Sequence, residues 1–162
     1  FVSMFIGFAI STAPLIGFNY GADNRAELKN ILVKSLTIIA LSSAVMTAVA
    51  LLLADPLSAV FVSYDQELLK MTIRAFMIYS LSYLLCGFNI FGSSLFTALN
   101  NGLISALISF VRTLVCQTGA VMLLPLVFDL DGIWLAIVAA ELSALILTAV
   151  FTVKYRKRYH YW

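Results

Sequence analysis

The sequence predicts an all-α polytopic membrane protein with about five transmembrane helices, and three observations support this. Hydrophobic residues make up 62% of the 162-residue chain and charged residues only 11%, whereas soluble domains are nearer half apolar and one quarter charged. The mean hydropathy is +1.02. The apolar residues fall into five runs, each long enough to cross a bilayer as a helix. The alternating pattern of a membrane barrel is absent.

Polar breaks place the predicted spans at about 1–18, 31–54, 73–99, 103–128 and 133–155. The chain opens inside an apolar run and does not begin with Met, so we expect residues 1–162 to be a partial C-terminal transmembrane lobe whose upstream part is missing. The opening run lacks the basic region of a signal peptide. The two cysteines lie inside separate apolar runs and are interpreted as packing residues, and no metal site is predicted.

Charge location predicts the orientation. Lys and Arg crowd the first break and the C-terminal end, whereas "DLDG" at 129–132 holds two acids and no base. Four spans separate the two basic regions, so both lie on one side of the membrane. The positive-inside rule predicts a cytoplasmic C-terminus in an inner or plasma membrane. His160, in the tail "KYRKRYHYW", is interpreted as an interfacial residue at the lipid headgroups.

A proline lies near the end of the first run. Pro14 removes a backbone donor and tends to kink a helix, and Gly21 can adopt the positive φ that ends one. Asn24 or Asp23 can cap the helix that follows. Two interpretations stay open, an ordinary helix–turn–helix connection and a hinge that lets the first span bend.

Four segments in order resemble one family of transporters. The segment "APLIGFNYGADNRAELK" at 13–29 resembles a characteristic segment of the multidrug and toxic compound extrusion (MATE) family, through Pro14, Asn19, Tyr20 and Gly21. Arg74 followed by "YSLSYLLCGFNIFGSSLFTALNNG" is similar to the tenth span of that family. The eleventh is matched by Arg112 followed by Pro125, and the twelfth by "GIWLAIVAAELSALI" at 132–146.

The resemblance implies a fold, an activity and partners. Full-length members have twelve helices in two six-helix lobes, and this chain would supply the last five. They export organic cations and other amphipathic compounds in exchange for protons or sodium ions, with no other cofactor. The implied partners are membrane lipid, an organic cation and the missing N-terminal lobe, and not nucleic acid. The related lipid-linked oligosaccharide flippases remain an alternative.

Two charged residues lie well inside predicted spans. At 1.5 Å per residue, Arg112 is roughly 14 Å into the fourth span. Glu141 is roughly 12 Å into the fifth span, counted from the opposite side. Their backbones therefore reach similar depths on neighbouring antiparallel helices, and pairing lowers the cost of burying each charge. Three interpretations stay open: a clamp between helices, an ion-coupling site in which Glu141 binds a proton or cation, and Glu141 facing a lumen alone.

The third span is polar without being charged. Its aromatic and polar side chains are candidates for lining a drug cavity, where rings meet organic cations, or for ordinary hydrogen bonding between helices: Tyr79, Tyr83, Asn89 and Ser93. No acid lies between Phe76 and Leu99, which argues against a sodium site on this helix. Small residues recur every fourth position on the fifth span, at Ala136, Ala140, Ala144 and Thr148. They recur on the fourth at Ser105, Ser109 and Thr113. Both stripes predict close helix contacts.

Other functional classes find less support in the sequence. An intramembrane enzyme would need paired acids or a metal-binding H-E-x-x-H motif, and neither is present within a span. No phosphate-binding G-x-x-x-x-G-K-[ST] loop occurs, in agreement with the ion-driven transport that the resemblance implies. A structural membrane subunit that transports nothing stays open.

Overall fold

In a computed structural model, which describes residues 1–159, the chain forms a bundle of helices, and the predicted all-α membrane class is confirmed. The helices are α1 (Val2–Gly21), α2 (Arg25–Leu52), α3 (Ala54–Val62), α4 (Gln66–Ser80), α5 (Tyr83–Ala98), α6 (Gly102–Phe110), α7 (Thr118–Leu123) and α8 (Pro125–Tyr159). A π-helical segment, Val111–Gln117, joins α6 to α7. His160, predicted to be interfacial, lies outside the described residues.

Four helical stretches in the described chain are long and apolar enough to cross a membrane, and a bent pair brings the number to five. The pair is α4 and α5, which are inclined by 41°. The third span, predicted as continuous over 73–99, is therefore broken at Leu81 and Ser82. No proline or glycine marks this break, so the apolar run gave no sign of it.

The boundary between the fourth and fifth spans also differs from the prediction. The helix of the fourth span ends at Leu123, and Pro125 begins α8 because a proline suits the first turn of a helix. The break predicted at 129–132 is a kink inside α8, where Asp129 has φ 50° and ψ −132°. A second acid of this break, Asp131, pairs with Arg74 and so connects α8 to α4.

The turn between α1 and α2 is a short helix–turn–helix connection. Asp23, and not Gly21, has the positive φ, at 52°. Asn24 caps α2 as predicted, since its side-chain oxygen accepts from the Glu27 amide at 3.2 Å. α1 continues through Pro14 to Gly21 as one helix.

α5 is the central helix of the bundle and packs against α1, α2, α6 and α8. Its inward face carries Phe91, Leu95 and Phe96, which are almost fully buried in the main hydrophobic cluster. α5 approaches α8 closely at Gly92, where an added Cβ would lie 2.2 Å from Cγ2 of Thr148. Glycine is therefore required there for the two backbones to approach.

The small-residue stripe of α8 is buried as predicted, with all four members at 5% exposure or less: Ala136, Ala140, Ala144 and Thr148. The stripe of the fourth span is not, because Ser105 is buried but Ser109 and Thr113 are exposed. The predicted contact with α5 is present at the first two positions, since the hydroxyls of Ser105 and Ser109 lie 2.9 Å and 2.8 Å from that of Ser93. Thr113 lies in the π-helical segment and is exposed.

Three connections meet at one end of the bundle. The ring of Tyr159, near the end of α8, lies 5.6 Å from that of Tyr20 at the end of α1. Asn101, in the turn before α6, donates from Nδ2 to the Tyr159 hydroxyl at 2.7 Å. The first break, the "NNG" turn and the end of α8 therefore share one side, as the charge pattern predicted.

Candidate functional site

Arg112 and Glu141 form an ion pair between the fourth and fifth spans. The guanidinium donates to Oε1 of Glu141 from Nε at 3.0 Å and from Nη2 at 2.5 Å. The exposed fractions of the two side chains are 24% and 11%. The predicted contact is thus present, and the low exposure means that each charge is compensated mainly by the other.

A second layer of hydrogen bonds holds Glu141 from the other side. Asn89 of α5 donates from Nδ2 to Oε2 of Glu141 at 2.7 Å and to its backbone carbonyl at 2.9 Å. Thr148, two turns further along α8, donates to Oδ1 of Asn89 at 3.2 Å. Asn89 is fully buried, so it orients the acid and does not face a cavity.

The π-helical segment positions Arg112. Such segments are short insertions in α-helices and are frequent at functional sites. Arg112 is the second residue of this one, and the segment packs chiefly against α8, which carries Glu141. The sequence around Arg112 has no proline or glycine within the segment, so the wider turn could not be predicted from it.

A cavity of about 200 Å³ opens beside the ion pair. Its wall comes from the first turn of α1, the bend between α4 and α5, the π-helical segment and α8. The polar groups on it are Arg112, Glu141, Tyr79, Ser82 and Gln117. A charged pair, two hydroxyls and an amide therefore line one concave space, and convergent polar groups of this kind orient ligands in small-molecule sites.

Not all residues that the sequence predicted to line a drug cavity, or to form the family motif, lie at this cavity. Tyr79 lines it, and Tyr83 contacts the Tyr79 ring edge-to-face at 5.8 Å. Ser93 lies elsewhere, in a group of hydroxyls between α5 and α6 in which its Oγ is 2.9 Å from that of Ser105. Ser93 and Pro14 line a second, more open groove of about 430 Å³ between α1 and α5. The motif residues Asn19, Tyr20 and Gly21 lie at the far end of α1, away from the ion pair.

Two polar residues of the cavity were missed in the sequence. Ser82 lies at the bend between α4 and α5, and the bend itself was not predicted. Gln117 is five residues after Arg112, a spacing that ordinary helical geometry places on another face; the π-helical turn brings both to the same cavity. The polar character of Gln117 inside an apolar span was the available signal.

The fold and the site together describe an integral membrane protein with a polar cavity inside a helical bundle. The MatE family model matches residues 1–122 of the chain. The chain belongs to this family of transporters. The match ends before α8, so Glu141 lies beyond it. No curated protein matches the chain, and no solved structure matches it.

Proposed function

We propose that the chain forms part of a secondary active antiporter, which exports organic cations or other amphipathic drugs in exchange for protons or sodium ions. The observation that supports this is a partly accessible Arg112–Glu141 pair on the wall of a cavity inside an apolar bundle. Charged residues at membrane depth are costly and typically mark substrate or ion pathways. The proposed partners are membrane lipid and an N-terminal lobe that completes the passage.

In this proposal Glu141 exchanges partners. Its carboxylate is compensated by Arg112 in the resting arrangement. A proton or a cation that reaches Oε1 or Oε2 competes with the guanidinium, and the bond between α8 and the π-helical segment then weakens. Ion occupancy would thereby change how the two spans pack, which is what an antiporter requires.

The second candidate role is a clamp that fixes the fourth and fifth spans together. The hydrogen bonds from Asn89 favour it, since they hold the acid in place without a ligand. Export of ethidium from cells that carry the full-length protein separates the two roles. Glu141→Gln should reduce export per molecule at least tenfold if the acid couples ions, and should reduce protein abundance equally if it only clamps.

Asp131→Asn is the matched control, because Asp131 is another acid of α8 but does not line the cavity. Export should remain within about twofold of the unmodified protein. If ethidium left no faster than from empty cells under either a proton or a sodium gradient, the multidrug proposal would fail. Flipping of a lipid-linked oligosaccharide would then be the assay to perform, and failure in both would leave the structural subunit.

A further inference from the structure

The cavity beside Arg112 contains hydrogen-bond donors that the rest of the described chain leaves unused. A guanidinium has five N–H groups, and two of them bind Glu141. The other three have no acceptor within residues 1–159. The same holds for the side chains of Tyr79, Ser82 and Gln117, all of which line the cavity.

Ser82 supplies an independent indication that this space receives a ligand. The residue is only 3% exposed, and its hydroxyl has no partner among the described residues. Buried polar groups are normally paired. The hydroxyls of Ser43, Thr47 and Ser58 also lack a partner but are fully enclosed, whereas that of Ser82 opens onto the cavity. Ser80, two residues earlier and also buried, shows the usual solution, since its hydroxyl donates to the Phe76 carbonyl at 2.7 Å. Ser82 instead faces the cavity.

Side chains, and not the amino end of α5, supply these donors. The backbone amides around the bend are largely occupied, because those of Leu84, Leu85 and Cys86 donate to carbonyls of Leu81 and Ser82 at 3.0–3.2 Å. An anionic group in the cavity would therefore be recognised by the guanidinium and the hydroxyls.

The cavity carries one charge of each sign. A ligand with only a positive charge would meet the unused N–H groups of Arg112, and one with only a negative charge would meet the carboxylate of Glu141. Oε1 of Glu141 accepts two hydrogen bonds and Oε2 one, so Oε2 retains acceptor capacity. The ring of Tyr79 offers a further surface to an ammonium group.

We propose that the cavity binds a compact zwitterion, with its carboxylate on Arg112 and Ser82 and its ammonium group toward Glu141 and the ring of Tyr79. Such a ligand balances both charges without separating the ion pair. The inference rests on the proposed function in one respect, that this cavity is a place where substrate binds, and among the amphipathic substrates proposed above it adds a preference for molecules that carry both charges.

Three probes of nearly equal shape test the charge requirement: L-phenylalanine, 2-phenylethylamine and 3-phenylpropionate. They share a ring on a two-carbon chain and are a zwitterion, a cation and an anion near neutral pH. Binding is measured from the ligand-dependent rise of the unfolding temperature of the detergent-solubilised protein. L-Phenylalanine should bind about tenfold more tightly than either singly charged probe, the ratio expected for one charge-assisted hydrogen bond.

Variants should change the order of preference, which loss of stability alone cannot do. Glu141→Gln leaves an uncompensated guanidinium, so 3-phenylpropionate should become the best ligand. Arg112→Gln should make 2-phenylethylamine the best. Ser82→Ala should weaken L-phenylalanine and 3-phenylpropionate about threefold and leave 2-phenylethylamine unchanged, whereas Ser80→Ala, the matched control, should preserve the order and the ratios.

The proposal is overturned if 2-phenylethylamine binds best to the unmodified protein, if no probe binds, or if the order is the same in every variant. If Glu141→Gln and Arg112→Gln do not fold, the order of preference is measured with Ser82→Ala and with the charge-preserving Arg112→Lys instead. Ethidium export is measured separately, so the proposals fail independently. Export with no zwitterion preference removes this inference alone, and zwitterion binding without export removes the antiporter alone.

Discussion

At the scale of single residues, the ion pair in the cavity and the pair at the surface differ in what they contribute. Arg112 and Glu141 have side-chain exposures of 24% and 11%, whereas Arg74, which pairs with Asp131, is 68% exposed. Exposed pairs contribute about 0–1 kcal/mol because water already solvates both charges. Breaking a buried pair costs about 3–5 kcal/mol, since one charge stays buried without its partner.

Removal of one partner should therefore be worse than removal of both. Arg112→Ala should lower the free energy of unfolding by about 3 kcal/mol, and the double variant Arg112→Ala with Glu141→Ala should recover roughly half of that loss. Denaturant unfolding in detergent measures both. Arg74→Ala serves as the control and should cost less than about 1 kcal/mol. Simple additivity of the two single losses would show that the side chains do not interact.

At the scale of helices, the contact between α5 and α8 determines whether the site can form. Asn89 donates to Glu141 at a point one turn along α5 from Gly92, where the two backbones approach closely and Gly92 faces Thr148. The absence of a side chain at position 92 therefore affects the geometry of the acid as well as the packing.

A methyl group at position 92 should push the two helices apart. Gly92→Ala should lower the free energy of unfolding by about 1–3 kcal/mol, the usual cost of overpacking. Adding Thr148→Ser should recover most of it, because serine lacks Cγ2 but keeps the hydroxyl that donates to Asn89. Gly119→Ala is the control, since a Cβ there meets nothing within 4 Å. An equal loss in the control, or no recovery in the double variant, would contradict this account.

At the scale of the whole molecule, contacts place three connections at one end of the bundle, and the charge pattern predicts which side of the membrane that end faces. The contacts of Tyr159 with Tyr20 and Asn101 bring three connections to one end. The segment between α3 and α4 follows the other end of α2, a helix of 28 residues. We predict that the end with Tyr159 faces the cytoplasm, because Lys and Arg are in excess near the end of α8.

Labelling of single cysteines tests that direction in intact cells. With Cys86 and Cys116 replaced by alanine, Ser63→Cys should react with a membrane-impermeant maleimide added outside, and Lys157→Cys should react only after lysis. Both positions are exposed, so a difference in reactivity reports the side and not burial. The reverse pattern would place the C-terminus outside the cell.

The composition of the chain and the depth of each charge within its span predicted the helical membrane fold and the contact between Arg112 and Glu141. The apolar runs are long and their polar breaks are distinct, so the class of fold could be predicted, although the third span is bent and α8 begins at Pro125 and not at 133. Arg112 and Glu141 could be paired because a charge in lipid must find a partner at its own depth. The bend at Ser82 and the π-helical turn before Gln117 could not be predicted, since both depend on packing between distant helices and neither carries a proline or glycine.

The two helices that form the third span, α4 and α5, are buried to different extents in the bundle. α5 has seven buried residues, among them Phe91 and Phe96, whereas α4 has one, Ser80. α5 is thus held in place by buried contacts, whereas α4 is joined to it through the short turn at Leu81. A small rotation of α4 about that turn would change the shape of the cavity directly, because Tyr79 and Ser82 line it on either side of the turn.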